Sequence, residues 1–457
     1  MDILIPKTIK DEIENLNITK AGRRHAYRFY FLYITKLVCE NDIKNKKNGY
    51  VKITSIEMRK HFTSNYFKLF VEEMLNQNFI TRTPFYTKRC AYKYKGTIIP
   101  KQDKPHFYRI EPDYLDFTQL EFVQLNKPIE VDKSENITYH TSNMEQLVFD
   151  FCGMKKIIEN INVEDYISIP NRSNLKAVRV TFPNGSKYFI NVQDIDELLS
   201  GNRQFFQYKN EYFIADIEEF IHNKTVELKT SYCYSLSKLY NNQFYARRNN
   251  RNNRLDSNLT NLSKVFFEED LIRWDDENLR EVDLRNSQPC ILNYLLHHKE
   301  FAISLIDNSN IKFPFFMPDD DLDKFTEYTE SGKLYELIAR ELEISREVAK
   351  LSIFEILFSS EKYNSTNKKI LKTLFPSVVR WIDAFKELNK KNTFPVMLQQ
   401  LESYLFIDYL LPRLQANHIK VLTKHDCFLC RERDEQAVRD VIEEGFYNIG
   451  FKFRLSA

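Results

Sequence analysis

Asp283 ends the run Leu279-Arg280-Glu281-Val282-Asp283, and Asp426 follows His425 between two apolar runs at 419–424 and 427–430. Runs of this length and composition read as strands, so each carboxylate stands at a strand end or turn. Two carboxylates that converge on one point can hold a pair of Mg²⁺ ions, which take oxygen ligands and substrate phosphates. Such a pair clamps the attacking and leaving oxygens of an in-line phosphoryl displacement. Arg346, Lys350, Phe354 and Phe358 recur every four residues, one stripe on a helix. Two cations there can hold a triphosphate, and an aromatic ring below them can stack on a base. Together these residues point to chemistry on a nucleoside triphosphate.

Other clusters of reactive residue types carry blander expectations. Cys427 and Cys430 sit on one strand without a second thiol pair nearby, so packing is expected. His297-His298 ends an apolar helix and lacks acidic or thiol company. Asp319-Asp320-Asp321 follows Pro318 and reads as a solvated loop. Asp216-Ile217-Glu218 is similar to the first carboxylate motif of proofreading exonucleases. Too few residues follow before Arg254 for the remaining motifs, so the match is read as chance.

The elements around these residues divide a chain of 457 residues, long enough for two to four domains. Seven irregularly spaced Cys do not form a disulfide framework and suit a reducing compartment. There is no secretory signal and no apolar run of spanning length, so a soluble cytoplasmic protein without membrane partners is expected. The net charge of +2 hides an asymmetry: residues 1–110 carry 22 Lys+Arg against 10 Asp+Glu, and the other 347 residues are net acidic. Clustered basic charge is the footprint of a polyanion-binding module.

Within residues 1–112 the order is a buried helix from 23 to 40, a short strand at 50–54, helices at 56–62 and 66–75, and strands at 79–83 and 107–110. That is the order of a winged helix. Its wing would carry Lys88, Arg89, Lys93, Lys95, Lys101 and Lys104, interleaved with tyrosines, near nucleic-acid phosphates. Residues 113–143 read as a linker. Residues 144–245 read as a middle α/β accessory or thumb-like region, with a helix at 144–161, a hairpin around Pro183-Asn184-Gly185 and a helix from 231 to 245. Residues 246–457 hold the candidate chemistry. The expected fold class is therefore α+β and multidomain.

Four signals in residues 246–457 stand in a telling order: Arg254 with Asn258, Leu259 and Asn261; the Asp283 strand; the Arg346–Phe358 stripe; and His425-Asp426. In this order they resemble the palm and fingers of family A DNA polymerases and, more distantly, single-subunit RNA polymerases. The resemblance covers under half the chain. It implies a right-hand palm and fingers with an antiparallel palm sheet, and a template-directed nucleotidyltransferase without proofreading. Asp283 and Asp426 would be ligands of two Mg²⁺ (Mn²⁺ as a substitute), helped by the Leu284 carbonyl. Lys350 and Arg346 would bind the triphosphate, and Phe354 would stack near the incoming sugar and base. Arg254 would contact the primer terminus or nascent pair, Asn258 and Asn261 the template-primer backbone, and His425 the primer end.

The sequence also departs from the family. Gln288 stands where DNA polymerases carry a Glu that excludes the ribose 2′-OH, Phe358 replaces a Tyr, and Cys427 replaces a Glu. The resulting expectation is a DNA polymerase with a moderate preference for dNTPs, acting on a DNA template-primer in replication or a mobile-element setting. Two alternatives stand beside it: a primase or single-subunit RNA polymerase using rNTPs, on DNA or RNA templates, and a non-catalytic DNA-binding replication or defence protein of a mobile element.

Overall fold

The computed structural model describes residues 1–39, 49–54, 57–58, 66–82, 92–94, 97–99, 106–125, 137–175, 177–183, 185–209, 211–268, 270–304, 311–319, 321–361, 366–389 and 392–456. The chain forms two units, each assembled from two segments: Met1–Val131 with Phe151–Gln243, and Asp132–Asp150 with Phe244–Ala457. Both mix helices and sheets, and none of the described helices is long and apolar enough to cross a membrane.

In the first unit, helix Lys20–Cys39 buries Ala26, Tyr27, Phe29, Tyr30, Phe31, Tyr33, Ile34 and Leu37, so almost its whole circumference is apolar. A three-stranded antiparallel sheet places His106–Ile110 between Val51–Ile53 and Ile80–Arg82. Helix Tyr66–Asn76 precedes strand Ile80–Arg82. Of the basic wing residues, Lys88, Arg89, Lys95, Lys101 and Lys104 lie outside the described residues. Lys93 lies on the short strand Tyr92–Tyr94, and its side chain is likewise outside the description. Leu120–Gln124 pairs antiparallel with the N-terminal strand Asp2–Pro6.

A five-stranded sheet completes this unit in the order Lys187–Asn191, Ala177–Thr181, Glu211–Asp216, Arg203–Tyr208, Ile167–Ser168. Helix Ile217–Tyr240 follows, beginning 14 residues before the expected start at 231. The reason is a capping residue: Asp216 accepts a hydrogen bond from the Glu219 amide at 3.1 Å. Asp216 thus serves as a helix cap.

The expected helix at 144–161 is interrupted. In the second unit, α1 (Thr138–Met144) is followed by strand β1 (Leu147–Phe149), and the chain then crosses to the first unit, where helix Phe151–Asn160 begins. Pairing of β1 with β4 (Ile272–Trp274) overrides the local helical pattern. Between them, β2 (Ala246–Arg248) and β3 (Leu255–Ser257) form a hairpin. β5 (Glu277–Asp283) leads to α2 (Ser287–His297), which buries every residue from Ser287 to Leu296. Then come α3 (Leu322–Glu330), α4 (Leu334–Leu342), α5 (Arg346–Phe358), α6 (Thr366–Leu374), α7 (Pro376–Leu388) and α8 (Thr393–Ser403). A seven-residue π-helix, Tyr404–Leu410, continues α8 into α9 (Leu411–Ala416). β6 (Leu422–Lys424), β7 (Cys427–Arg431) and α10 (Glu435–Asn448) close the chain.

The central sheet is antiparallel, in the order β6-β7-β5-β4-β1. Cys427, Phe428, Leu429 and Cys430 are all buried, so β7 is covered on both faces. Burial pushes the Cys427 thiol far above its ordinary value and that of Cys430 to about 12. Both therefore stay protonated, as packing residues do. His297 ends α2 and contacts Thr326 Oγ1 at 2.9 Å. Asp321 differs from the solvated loop residue expected: it is buried and accepts from the Ser377 amide at 3.0 Å, satisfying the N-terminus of α7.

Candidate active site

β5 and β7 are paired so that Asp283 lies opposite Cys427, one residue from Asp426. Register alone thus brings the two acidic positions to one end of the sheet. Lys424 and Cys427 pair across a two-residue turn formed by His425 and Asp426. His425 there has φ of 58°, a left-handed conformation that costs a non-glycine residue free energy. The Leu284 amide donates to the Asp426 carbonyl at 3.4 Å, joining the strand end to the turn. A further brace comes from the C-terminal residues. Ser456 donates to the Asp283 carbonyl from its amide at 2.8 Å and its hydroxyl at 3.1 Å, and Arg285 donates to the Arg454 carbonyl at 2.9 Å. Nothing local in the sequence announces this brace.

Opposite the strand ends stands α5, capped by Ser345, whose hydroxyl accepts from the Val348 amide at 3.3 Å. Its other end is capped by Lys386, which donates to the Ile356 carbonyl and to the Ser359 carbonyl at 2.7 Å. Arg346, Lys350 and Phe358 are exposed and Phe354 is half-buried, so the stripe faces solvent and Ala349, Ile353, Ile356 and Leu357 form the core face. The Phe354 and Phe358 rings stack at 5.6 Å, and the Lys350 ammonium stands 5.9 Å from the Phe354 centroid. Arg346 Nε donates to Glu336 at 2.8 Å, and its guanidinium lies over the Tyr335 ring.

One cleft of about 410 Å³ joins the two walls. Asp283, Leu284, Arg285, Asn286, Ser287, Gln288, Tyr335, Glu336, Arg346, Lys350, Phe354, Asp426 and Ser456 line it. Burial raises the Asp283 carboxyl to about 7, with the charges of Asp426 and Glu281 adding to the effect, while the Leu284 amide and Lys350 oppose it. A divalent cation between the two carboxylates would relieve that repulsion. Among the described residues no cluster of three or more His, Cys, Asp or Glu side chains could hold a metal ion. The donor set here is two carboxylates. It fits Mg²⁺ that completes its shell with water and phosphate oxygens.

The sequence reasoning missed Glu402. This carboxylate on α8 is 1% exposed, and its Oε1 lies 2.6 Å from an Arg254 guanidinium nitrogen. Its Oε2 accepts from the Gln288 amide, with the Ser287 hydroxyl at 3.4 Å. Burial pushes it up to about 8, helped by the charge of Asp426 and opposed by Arg254 and Gln288. Arg254 therefore holds the floor beneath the cleft. The signal was available: Glu402 lies four residues after Leu398 and three before Leu405, both buried, so an acid falls on an apolar helix face.

The other predicted residues have varied places. His425 is half-buried, and burial, then the neighbouring Arg254 charge, lowers its pKa. Asn258 is buried and its carbonyl oxygen accepts from the Tyr245 amide at 2.7 Å. Asn261 donates to the Tyr245 hydroxyl at 2.7 Å. Neither asparagine lines the cleft, and neither does Phe358.

No protein-family model matches the sequence, and no curated protein matches it either. Among solved structures, the chain is similar to the POL domain of Pol1 from M. smegmatis, in complex with DNA primer-template and dNTP, with 12% sequence identity and a TM-score of 0.31. The match covers 52% of this chain and 52% of that one, so the chain spans about half the length of the solved chain it matches.

Proposed function

We propose that the second unit is a template-directed nucleotidyltransferase, joining the α-phosphate of a nucleoside triphosphate to a 3′-hydroxyl and releasing pyrophosphate. One observation carries this reading: two carboxylates at adjacent strand ends face two cations on a helix across a single cleft. Asp283 and Asp426 would hold Mg²⁺, with the Leu284 carbonyl beside them. Bound there, the metal would supply Lewis-acid stabilisation of charge on the phosphoryl oxygens. Lys350 and Arg346 would orient the triphosphate, Phe354 would pack on the nucleoside, and His425 would position the strand end. Arg254, fixed by Glu402, would support the nascent pair from below. Asn258 and Asn261 would act through the Tyr245 segment along the template-primer. The reading is that of a compact family A-like palm and fingers, as the motif order in residues 246–457 implies.

A nucleic-acid partner is proposed for the first unit: its helix, strand, helix, strand, strand order is that of a winged helix, and the basic residues between positions 88 and 104 fall in sequence between strands Ile80–Arg82 and His106–Ile110. The primer-extension test uses DNA and RNA templates, Mg²⁺ or Mn²⁺, and dNTPs or rNTPs. Extension that disappears in both Asp283→Asn and Asp426→Asn is expected. Wild-type rates in both variants would remove the two-carboxylate reading, and binding without any extension would promote the non-catalytic alternative.

A further inference from the structure

α5 carries Arg346, Lys350 and Phe354 to the cleft, so the direction of this helix sets how its cations stand to the carboxylates. Its core face fixes that direction weakly. Ile353, Ile356 and Leu357 surround a small apolar void together with Leu292, Leu371 and Val379, and apolar contact has no preferred direction. A directional contact stands at the C-terminal end. Lys386 of α7 donates to the Ile356 carbonyl and, at 2.7 Å, to the Ser359 carbonyl. One ammonium thus ties down the last turn, where the helix dipole also favours a cation.

The charges around Lys386 leave it without an acidic partner. Lys368 of α6 is 3% exposed and donates to Asp383 at 2.6 Å and to the Glu361 carbonyl at 2.8 Å. Lys372 takes the other Asp383 oxygen at 3.3 Å. Asp383 is therefore engaged by α6, and among the described residues no carboxylate lies within ion-pair distance of Lys386. α8 offers it the Phe394 ring at 5.7 Å. α3 meets α7 at the opposite end, where Asp321 accepts from the Ser377 amide and Lys324 lies over the Phe375 ring. Burial pushes the Lys386 ammonium down to about 8, with the Lys368 charge adding to the effect and Asp383 and Glu361 opposing it.

We propose that Lys386 is a positioning residue for the nucleotide: while charged, it holds the C-terminal turn of α5, and with it Lys350 and Phe354, in the register that binds a triphosphate. Loss of its proton to solvent releases the turn and weakens binding. The inference rests on the nucleotidyl-transfer reading of the cleft. It has two consequences of opposite sign. Between about pH 8 and the ordinary lysine value of 10.5, the unfolded chain keeps a proton that the folded chain has lost, so this residue's contribution to stability rises with pH. Nucleotide affinity falls over the same range. A residue that served stability alone would move both together.

The test measures Kd for ATP and dATP with Mg²⁺ on the full chain, by calorimetry from about pH 7 to about pH 9.5. Wild type is compared with Lys386→Arg, Lys386→Met and Lys372→Met. Adenine does not titrate in this range, and Asp283 contributes alike in all four proteins. The wild-type Kd should rise roughly three- to tenfold with a midpoint near pH 8, a coupling of the size that residues away from a ligand carry. Lys386→Arg keeps its charge and should hold the low Kd throughout. Lys386→Met should show the high Kd throughout, and relative to it the wild-type melting temperature should climb as pH rises. Lys372→Met removes an exposed cation without touching α5 and should bind as wild type does at about pH 7. If Lys386→Arg fails to fold, convergence of wild type on Lys386→Met at high pH still decides. A constant Kd ratio between wild type and Lys386→Met would overturn the proposal. So would relative stability and affinity falling together, or an equal loss in Lys372→Met. Binding of the expected form without primer extension fails the transfer reading alone, and extension with a constant Kd ratio fails this inference alone. No nucleotide binding at all overturns both.

Discussion

The two walls of the cleft handle charge in opposite ways. The strand wall crowds Asp283 and Asp426 at half-buried backbone ends, where burial and mutual repulsion raise Asp283 to about 7. The helix wall carries Arg346 and Lys350 on an exposed stripe, with Arg346 engaged by an exposed Glu336. The rigid wall holds unfavourable charge in place and the solvated wall supplies compensating charge. Ground-state strain therefore belongs to the carboxylates, and adaptability to the cations.

The largest expected effect breaks the strand wall. Asp283→Asn or Asp426→Asn should lower incorporation on the order of a thousandfold or more, as loss of several kcal/mol of charge stabilisation requires. Steady-state extension with a circular-dichroism control checks this. On the helix wall the loss should be smaller: Lys350→Ala should reduce kcat/KM for the nucleotide by roughly 10- to 100-fold, because charge on the phosphates grows during transfer. Equal effects on both walls would erase the contrast.

The contrast also has a stability signature. Asp283 binds its proton more tightly in the folded protein than at its unfolded value near 4, so its contribution to stability falls as pH rises from about 4 to about 7. Asp283→Asn should therefore melt higher than wild type at pH 8 and at nearly the same temperature at pH 4. Mg²⁺ should raise the wild-type melting temperature at pH 8 and leave that of the variant almost unchanged. Fluorimetric melts across pH, with and without EDTA, decide the matter.

The legible parts of the site were those fixed by local pattern. Asp283 and Asp426 follow strand-like runs, and the α5 stripe shows its spacing directly. Glu402 was harder because its importance depends on Arg254 and Gln288, which approach from distant parts of the chain. The helix start at Ile217 could be read from Asp216, whereas β1 could not: its strand form depends on pairing with residues more than 120 positions away. Asp321 likewise becomes a cap only when α7 arrives. Contacts made across the sequence carry this information, and a local pattern cannot contain it.

A smaller prediction concerns the periphery of the same unit. Arg248 pairs with Asp408 through two contacts, at 2.8 and 3.2 Å, on a partly exposed surface. Arg248→Ala should cost about 0.5 kcal/mol or less in denaturant melts and leave incorporation near wild type, as solvent screening weakens exposed pairs.

Asp408 belongs to the π-helical turn that follows Glu402. Such a turn accommodates a residue in excess of the α-helical count. A one-residue deletion within 404–410 would restore ordinary winding and rotate the two flanks by about 100° relative to each other, the angle of one α-helical residue. Either Glu402 would leave its position beneath the cleft, or Leu411 and Leu414 would leave the core they now occupy. The length of this helix thus acts as a phase setting between floor and core, and a change of one residue in chain length would be felt where no substitution had been made.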